Sequence, residues 1–224
     1  MTALQIDHPA VEHSRSMYRK NIWDAKTYKY KVIKSPTDIK LGKKVTKGKL
    51  KGAKIYILTL EERATCDSAC EHWLDCYGNN MPFAHRFIVN DALMVAIERD
   101  LDELDAKGKA YLVRLHILGD FPDLAYVMFW QKQLAKRPLL NIYGYTRNHP
   151  TKPLGLAIRS VRDLYGARFA IRFSSFPSDP MSAQSEHVST EGIGCPHQLK
   201  KASSCASCTL CWSMPNNPVV FYDH

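Results

Sequence analysis

The sequence predicts an α/β protein, built either as a partial (β/α) barrel or as an open parallel sheet of about four to six strands. The first observation behind this prediction is that apolar, β-rich runs alternate with amphipathic segments of helical period from residue 55 onward. The second is that two of the three amphipathic segments are bounded by residues that cap or end helices. The third is size, because 224 residues, of which 45% are hydrophobic, suffice for one buried core.

The alternation begins with a strand, a helix and a strand. The run KIYILTL at 54–60 is short, apolar and rich in β-forming residues, so we predict a buried strand. The segment 91–108 repeats leucine and isoleucine at helical spacing, with Asp91 placed to cap the helix and Gly108 placed to end it. The run AYLVRLHILGD at 110–120 is the second predicted strand.

The alternation continues with a helix, a strand, a helix and a strand. The segment 122–138 begins and ends with proline, which is typical of the two limits of a helix. We predict a third strand at 139–146, a third helix at 152–166 and a fourth strand at 167–175. Such connections are right-handed crossovers that make the strands parallel. Ligands of parallel sheets gather beyond the carboxyl ends of the strands.

Charge and cysteine content divide the chain into a basic amino-terminal extension (1–54), an α/β core (55–180) and a cysteine-rich carboxyl-terminal segment (181–224). Residues 1–54 hold 14 Lys+Arg against 4 Asp+Glu, which gives +10, and residues 55–224 hold 17 against 18, which gives −1. The extension is therefore either a solubilising, partly disordered arm or a surface that attracts phosphate and nucleic acid.

The sequence also indicates a compartment. It has no apolar run of membrane-spanning length and no signal-peptide pattern, so we expect a cytoplasmic protein with no membrane partner. Disulfides are rare in a reducing compartment, and the odd number of seven cysteines cannot all pair. Clustered cysteines in such a protein are more often metal ligands. We therefore interpret the two cysteine groups of this chain as metal sites.

The second cysteine group has the more explicit spacing. Cys205, Cys208 and Cys211 follow one another as C-x2-C-x2-C, and Cys195, followed by proline, lies upstream. Overlapping C-x2-C steps with a separate Cys-Pro are typical of iron–sulfur ligation, here with the Cys-Pro first. Zinc is the alternative at this carboxyl-terminal site, since four thiolates also make a closed tetrahedral zinc centre.

The first cysteine group lies in ATCDSACEHWLDCYG at 64–78, where Cys66, Cys70 and Cys76 are spaced C-x3-C-x5-C. Three thiolates leave one iron of a [4Fe–4S] cluster without a protein ligand. That iron is then open to a small molecule, or a distant side chain closes the site. The side chains that could close it are His72, His85, His116 and Asp67.

Several polar residues follow the predicted strands at the same edge of the sheet as the first cysteine group. Gly119 and Asp120 follow the second strand, Arg147 follows the third, and Ser174 and Ser175 end the fourth. The second cysteine group also comes after the fourth strand. Because the carboxyl ends of parallel strands share one edge, we expect these residues and both cysteine groups to lie on that edge.

The triplet after the first strand, with LGDF after the second, resembles the radical S-adenosylmethionine (SAM) superfamily. In that superfamily a three-cysteine loop, usually spaced C-x3-C-x2-C, holds a [4Fe–4S] cluster whose open iron is chelated by SAM. The resemblance implies that Asp120, beside Gly119, accepts from the SAM amino group and that Tyr77 contacts adenine. It implies SAM as a cosubstrate, with a radical-SAM-like core at 55–180.

More narrowly, the chain resembles a phage and prophage family named after mycobacteriophage gene product eighty-eight. The motifs that carry this resemblance are ATCDSACEHWLDCYG, RLHILGDF, YGYTRN, RFSSF and GCPHQLKKASSCASCTLCW, which together span about residues 55–212. The resemblance implies an iron–sulfur protein of a bacteriophage, located in the host cell cytoplasm. It does not imply a particular reaction.

Two functional hypotheses follow from these features. In the first, a small radical-SAM-like enzyme carries one or two [4Fe–4S] clusters, and the second cluster relays electrons or holds substrate. Arg147 or Arg172 would pair with the SAM carboxylate, and Ser174 would reach the ribose. In the second, the chain is a non-catalytic iron–sulfur or zinc protein that binds nucleic acid, through its basic extension, or a host partner.

Overall fold

The computed structural model describes residues 2–213 and 216–222. These residues form six α-helices: α1 (Pro9–Glu12), α2 (Asp91–Asp105), α3 (Leu124–Lys136), α4 (Pro153–Tyr165), α5 (Cys205–Cys208) and α6 (Leu210–Ser213). They also form nine strands: β1 (Ile22–Trp23), β2 (Lys54–Ile57), β3 (Arg86–Phe87), β4 (Tyr111–Leu115), β5 (Leu140–Thr146), β6 (Phe169–Ser174), β7 (Ser182–Ser185), β8 (Ile193–Gly194) and β9 (Val219–Phe221).

An open, strongly curled sheet organises the described part of the chain as a half-barrel. Its strand order is β2-β4-β5-β6-β7-β9-β8, and every neighbouring pair is parallel. The four predicted strands are its first four, in sequence order, and the three predicted helices lie between them. Among the described residues the sheet has seven strands, so the expectation of four to six was too low.

The strands of this sheet that are missing from the prediction are β7, β8 and β9. The first two lie in a region whose sequence is polar and loop-like, and β9 is the short apolar segment VVF. The segment β7 reads SAQS, and β8 has only two residues, so neither carries an apolar run. They are strands because their backbones pair with β6 and β9. Pairing with a distant segment leaves no periodic signal in the sequence.

The helix boundaries follow local capping. The side chain of Asn90, rather than Asp91, accepts from the backbone N–H of Leu93 at the start of α2. The Asp123 carboxylate accepts from the N–H of Tyr126 at 2.8 Å, so α3 begins two residues after Pro122. The predicted helices are therefore confirmed, with ends shifted by one to three residues.

The outer face of the sheet is covered by α2, α3 and α4. Val113, Ile142 and Ile171 point to this face and belong to the same buried cluster as Ile97 and Trp130 of the helices. Successive strand residues point to opposite faces, so the residues between them form the inner face. The packing of these helices on the sheet fixes the positions of the strands, and the first cysteine loop begins at the carboxyl end of β2.

The inner face of the half-barrel is filled from both ends of the chain. Leu112 and Tyr143 of the strands pack there with Val45 of the extension and with Ala206 and Trp212 of the second cysteine group. Backbone hydrogen bonds join the two covering segments to each other, since Cys205 N–H donates to the Lys40 carbonyl at 2.7 Å and Thr46 N–H to the Ala206 carbonyl at 3.0 Å.

The extension is therefore packed on the rest of the molecule along residues 2–54. Val32 and Ile33 are 2% exposed and belong to the outer core. Nearer the start, Leu4 and Val11 pack against Leu74 of the first cysteine loop. A free or partly disordered arm does not describe this segment.

None of the helices in the described ranges combines the length and the apolar composition needed to cross a bilayer.

Candidate metal centres

All four cysteines of the second group line one small cavity on the inner face of the half-barrel. Cys195 follows β8, Cys205 and Cys208 lie on α5, and Cys211 lies on α6. The cavity has a volume of about 80 Å³. The sequence placed this group at the rim of the sheet, and the structure places it inside the curl of the sheet.

Two one-turn helices give the C-x2-C-x2-C run its shape. Ser204 caps α5 with a capping box, in which its Oγ accepts from Ser207 N–H and its own N–H donates to Ser207 Oγ at 3.1 Å. Thr209 then takes the left-handed conformation, with φ at +67°. This break redirects the chain, so that Cys211 faces the same cavity as Cys205 and Cys208.

The wall of the cavity carries positive charge from the strands. Arg114 of β4 lies on the inner face, and its Nε atom is buried without a hydrogen-bond partner among the described residues. Burial disfavours its charge, but the neighbouring Tyr143, Tyr145 and Cys205 keep the Arg114 pKa above its usual value. Lys40 of the extension lines the same cavity. A cation facing these thiols offsets the net negative charge that remains when four thiolates bind a metal ion or a cluster.

Arg172 belongs to this second group and holds its backbone. The side chain is fully buried, and its Nε donates to the Cys211 carbonyl at 3.1 Å and its Nη1 to the Asn217 carbonyl at 2.7 Å. A further bond reaches the Leu210 carbonyl at 3.3 Å. The guanidinium therefore fixes the position of the turn that carries Cys211. Ser174, two residues further along β6, points to the same inner face.

Burial favours the protonated form of two thiols of the second group, Cys205 and Cys211. Burial raises the pKa of Cys205 to about 12, and burial also raises that of Cys211. Arg172 and a hydrogen bond from Tyr145 oppose the shift at Cys211. Metal binding at these thiols would release protons.

The first cysteine group lies in the loop after β2, at the carboxyl end of the sheet. Burial raises the pKa of the Cys66 thiol, and the charges of Asp120, Cys76 and Cys70 raise it further, so these four groups are close neighbours. The Cys76 sulfur accepts from the Gly78 N–H at 3.4 Å and begins a 3₁₀ turn at Tyr77–Asn80. The prediction that the triplet and Asp120 meet at one edge is confirmed by this proximity.

A buried ion pair under the loop holds its second half. Arg86 and Glu62 are both fully buried, and Arg86 Nε donates to Glu62 Oε2 at 2.7 Å. Arg86 Nη2 also donates to the carbonyls of Gly78 and Met81, at 3.0 and 3.1 Å. Beside this pair, Arg63 Nε donates to the Trp73 carbonyl at 3.0 Å. The residues next to Cys76 are therefore positioned by charged side chains beneath them.

Gly119 and Asp120 form a tight turn against the cysteine loop. Gly119 has φ at +82°, and a Cβ there would lie 2.6 Å from Thr65 Oγ1 and 2.7 Å from Leu60 Cβ. The position therefore needs glycine both for its backbone conformation and for the close approach. Thr65 Oγ1 accepts from the Asp120 N–H at 3.1 Å and so ties the turn to the residue before Cys66.

The Asp120 carboxylate is 4% exposed and already bound by backbone amides. It accepts from Phe121 N–H and from Arg147 N–H, both at 2.7 Å. Burial raises its pKa to about 6, and these two hydrogen bonds oppose the shift. It does not cap α3, because Asp123 does so. Its position makes it the link between the turn after β4 and the turn after β5.

Arg147 stands beside the first cysteine group. Its charge lowers the pKa of Cys70, although burial leaves that pKa raised overall. Its guanidinium lies 4.6 Å from the centre of the Phe176 ring and 3.9 Å from Glu71 of the loop. Ser175 Oγ donates to the same Glu71. Arg147 and the end of β6 are thus joined to the cysteine loop.

A cleft at this edge leaves room for a small molecule. A cavity of about 160 Å³ is lined by Arg147, Ala69, His149, Lys152 and Phe176. A wider groove of about 570 Å³ continues from it past the starts of α3 and α4. Tyr77, the predicted adenine contact, is 56% exposed in the turn after Cys76.

Each histidine that could have completed the first site has one ring nitrogen paired with another side chain. His72 Nδ1 lies 3.2 Å from Asp75. His85 Nδ1 lies 2.7 Å from the Tyr28 hydroxyl. His116 is buried, with Nε2 at 3.0 Å from the Tyr126 hydroxyl. Asp67 accepts from the N–H of Ala69 at 2.9 Å, a local turn within the loop.

Within the described ranges, no side chains are arranged as a binding site for a single metal ion. These ranges contain no group of three or more His, Cys, Asp or Glu side chains arranged to hold one metal ion. A tetrahedral zinc site needs sulfurs about 2.3 Å from a common ion. In the same ranges all seven cysteines are free thiols. The cluster prediction concerns a larger group and stays a prediction.

The cationic and aromatic wall of the second site was not predicted from the sequence. Arg114 lies inside the predicted strand AYLVRLHILGD, and Tyr145 lies inside LLNIYGYT. A charged residue within a run that is predicted to be buried is a signal that could have pointed to it, because such a charge needs a partner. The Glu62–Arg86 pair gave no comparable signal, since both residues lie in loops or a two-residue strand.

No family model matches the chain, and it matches neither a curated protein nor a solved structure. The resemblances to radical SAM enzymes and to the gene-product-eighty-eight family therefore stay predictions from sequence motifs.

Proposed function

We propose that this chain is an iron–sulfur protein whose second cysteine group binds a [4Fe–4S] cluster. The observation that carries the proposal is that Cys195, Cys205, Cys208 and Cys211 all line one cavity whose wall includes Arg114, with its Nε atom buried. Four thiolates are the usual ligand set of such a cluster. The unpartnered Nε of Arg114 gives the bound group a hydrogen-bond donor as well as a counter-charge.

We further propose that Cys66, Cys70 and Cys76 hold a second cluster with one open iron, and that SAM binds there. The cleft of about 160 Å³ at this edge, lined by Ala69 and Arg147, offers the space together with the wider groove that continues from it. The Arg147 guanidinium suits the SAM carboxylate because its planar fork can donate two parallel hydrogen bonds. A reduced cluster would then supply one electron for the reductive cleavage of SAM.

The residues around this cleft take distinct parts in the proposal. Asp120, at 4% exposure, serves to position Arg147 through its backbone N–H rather than to receive the SAM ammonium. Tyr77 is exposed beside Cys76 and can cover the adenine. Arg172 is committed to the carbonyls of the second cysteine group, which leaves Arg147 as the carboxylate partner.

The alternative is a non-catalytic protein whose metal sites are structural. Zinc could replace the cluster at the second cysteine group, and nucleic acid or a host protein would then be the partner. A phage origin and a place in the host cytoplasm belong to the proposal in the same way, because they rest on motif resemblance alone.

Iron and sulfide measurements separate these two proposals. We would purify the full chain without oxygen and quantify iron, acid-labile sulfide and zinc in the wild type, in Cys66→Ser and in Cys208→Ser. The proposal expects about four irons fewer in each variant, with the other cluster retained. A colourless, iron-poor wild type that carries zinc would overturn it.

A second experiment separates the enzyme from the binder. With dithionite as reductant, the fully loaded wild type should produce 5′-deoxyadenosine from SAM. Arg147→Met should weaken SAM binding by about tenfold or more, since it removes a bidentate charged pair. Arg159→Met, which removes an exposed arginine on α4, is the matched control and should leave SAM binding unchanged. A loaded protein that neither binds nor cleaves SAM would leave the non-catalytic alternative.

A further inference from the structure

Four lysines converge on a cavity at the opposite end of the sheet from the first cysteine group. The cavity has a volume of about 310 Å³, and Lys44, Lys54, Lys107 and Lys109 line it. Lys54 is the first residue of β2, and the first residue of β4 also lines the cavity. The cavity therefore lies at the amino-terminal edge of the strands, away from the proposed cluster chemistry.

Two separate segments bring these lysines together. Lys44 and Lys54 face each other across an antiparallel bridge, supported by the Val45 N–H to Ala53 carbonyl bond at 2.9 Å. Lys107 and Lys109 belong to the turn between α2 and β4. Only the first pair lies in the basic extension, so the charge distribution along the sequence did not reveal this grouping.

The four ammonium groups are not neutralised by the protein. None of them lies within 4.0 Å of a carboxylate among the residues that the structure describes. The acidic residues closest along the chain are used elsewhere, because Glu103 binds Lys31 and Asp105 lies 3.0 Å from Arg137. Like charges that face one cavity repel each other, and a bound anion removes that repulsion.

The floor of the cavity is rigid and partly aromatic. Tyr56 and Tyr111 line it, with ring centres 6.4 Å apart in an edge-on arrangement. The Lys107 ammonium lies 5.9 Å from the centre of the Tyr56 ring. Tyr111 is held in place because its hydroxyl donates to Asp105 Oδ1 at 2.9 Å. The lysines therefore present long, flexible donors above a base of packed aromatic rings.

We infer that this cavity binds a chain of phosphate groups, through Lys44 and Lys54 on one side and Lys107 and Lys109 on the other. A single carboxylate would neutralise one of the four ammonium groups, whereas linked phosphates present several charges at a short spacing. Lysine binds phosphate as a point charge and demands no fixed geometry. The ligand is a nucleic-acid backbone or a free polyphosphate, and the inference does not depend on the cluster proposal.

The test compares two double variants that remove the same charge. Lys107→Glu with Lys109→Glu reverses two lysines of the cavity that lie outside the basic extension. Lys47→Glu with Lys49→Glu reverses two exposed lysines of the extension that do not line the cavity. The probes are a fluorescent oligothymidylate of about twelve nucleotides and inorganic tripolyphosphate as a competitor, each used with the full chain.

We expect the cavity variant to weaken oligonucleotide binding about tenfold or more and to lower the slope of log K against log salt by about 1.4, for two lost contacts. The extension variant should weaken binding by less than about threefold, since only its long-range charge acts. Equal losses in both variants, or a wild type that binds neither probe, would overturn the inference. A Lys107→Gln with Lys109→Gln variant, checked by circular dichroism, guards against misfolding.

The competition distinguishes the two sources of phosphate. If the site serves free polyphosphate, tripolyphosphate should displace the oligonucleotide at a comparable concentration, and the cavity variant should lose both ligands. If it serves a nucleic-acid backbone, affinity should rise with oligonucleotide length while tripolyphosphate competes only in large excess. Unchanged iron content in the cavity variant would keep this result separate from the cluster proposal.

Discussion

The hydroxyl of Tyr145 donates a hydrogen bond to the sulfur of Cys211 over 3.0 Å. This contact joins the inner face of β5 to the second cysteine group, between two side chains that are both half-buried. Tyr143, two residues earlier on the same face, also lies beside the thiols, but its hydroxyl is buried without a hydrogen-bond partner in the described part of the chain. The two tyrosines form a natural pair for comparison.

The first prediction uses that pair. In the loaded protein, Tyr145→Phe should lower the reduction potential of the second cluster by tens of millivolts, because a hydrogen bond to a ligand sulfur stabilises the reduced form. Tyr143→Phe should change the potential much less. A redox titration followed by electron paramagnetic resonance measures both, and equal shifts would contradict the assignment.

The second prediction concerns Arg172. Arg172→Met should lower the free energy of unfolding by about 3 kcal/mol or more, because several buried carbonyls lose their donor at once. The variant should also lose iron to a chelator faster, since the turn of Cys211 is no longer fixed. Arg19→Met, which removes an exposed arginine of the extension, serves as the control. Urea unfolding and the rate of iron release provide the two measurements.

The third prediction tests the close approach at Gly119. Gly119→Ala should destabilise the protein by about 2–4 kcal/mol, from the positive φ and from the clash with Thr65 and Leu60. Gly108→Ala is matched to it, because Gly108 has φ at +60° but a Cβ added there would meet no heavy atom of the described residues within 4 Å, its chain neighbours aside. That variant should cost about 1 kcal/mol. Similar losses in both would mean that the packing of the turn is unimportant.

The fourth prediction concerns the ion pair under the first cysteine loop. Arg86→Met should cost about 3–5 kcal/mol, because Glu62 is left buried without its counter-charge. Hydrogen exchange should accelerate at residues 76–81, because Arg86 donates to the carbonyls of Gly78 and Met81 in this segment. The exposed Arg99, changed to Met, should leave exchange in that loop unaltered. Adding Glu62→Gln to Arg86→Met should recover part of the loss, and a failure to do so would argue against the pair as the cause.

The fifth prediction is a pH dependence from His116. Burial lowers the pKa of His116 to about 3, so the folded state stays neutral while the unfolded state takes up a proton below about 6.5. Stability is therefore complete above about pH 6.5 and falls as the pH drops toward 3. Between about pH 7.5 and pH 5 the wild type should lose about 2 kcal/mol more than His116→Gln. Urea unfolding at both pH values measures the difference, and parallel losses would contradict it.

The strands and helices of the first four repeats could be predicted because their signals are local. The run KIYILTL and the leucine spacing of α2 each show in a few neighbouring residues what the structure confirms. The strands β7 and β8 could not be predicted, because SAQS and a two-residue segment become strands only through partners far along the chain. The packed extension was hidden for a related reason, since its lysines outnumber the few apolar residues that anchor it.

The residues of the candidate sites were also predictable only in part. The parallel-sheet rule placed Cys66, Asp120 and Arg147 at one edge, and the structure brings them together there. No local rule could place Cys211 on the inner face, because its position depends on Arg172 and Tyr145 from two strands. The parts of a site made by one turn were predictable, and the parts made by three distant segments were not.

The segments that fill the inner face determine when the half-barrel can close during synthesis. The strands β2 to β6 leave the ribosome before residues 205–221, and until those residues arrive the concave surface around Leu112 and Tyr143 is covered only by the extension, through Val45. Chains emerge at about 5–20 residues per second, so the rest of this surface stays open to water or to a chaperone for some seconds. The residues that close the half-barrel also carry the last cysteines, so under the proposed function the second cluster assembles only at that late step.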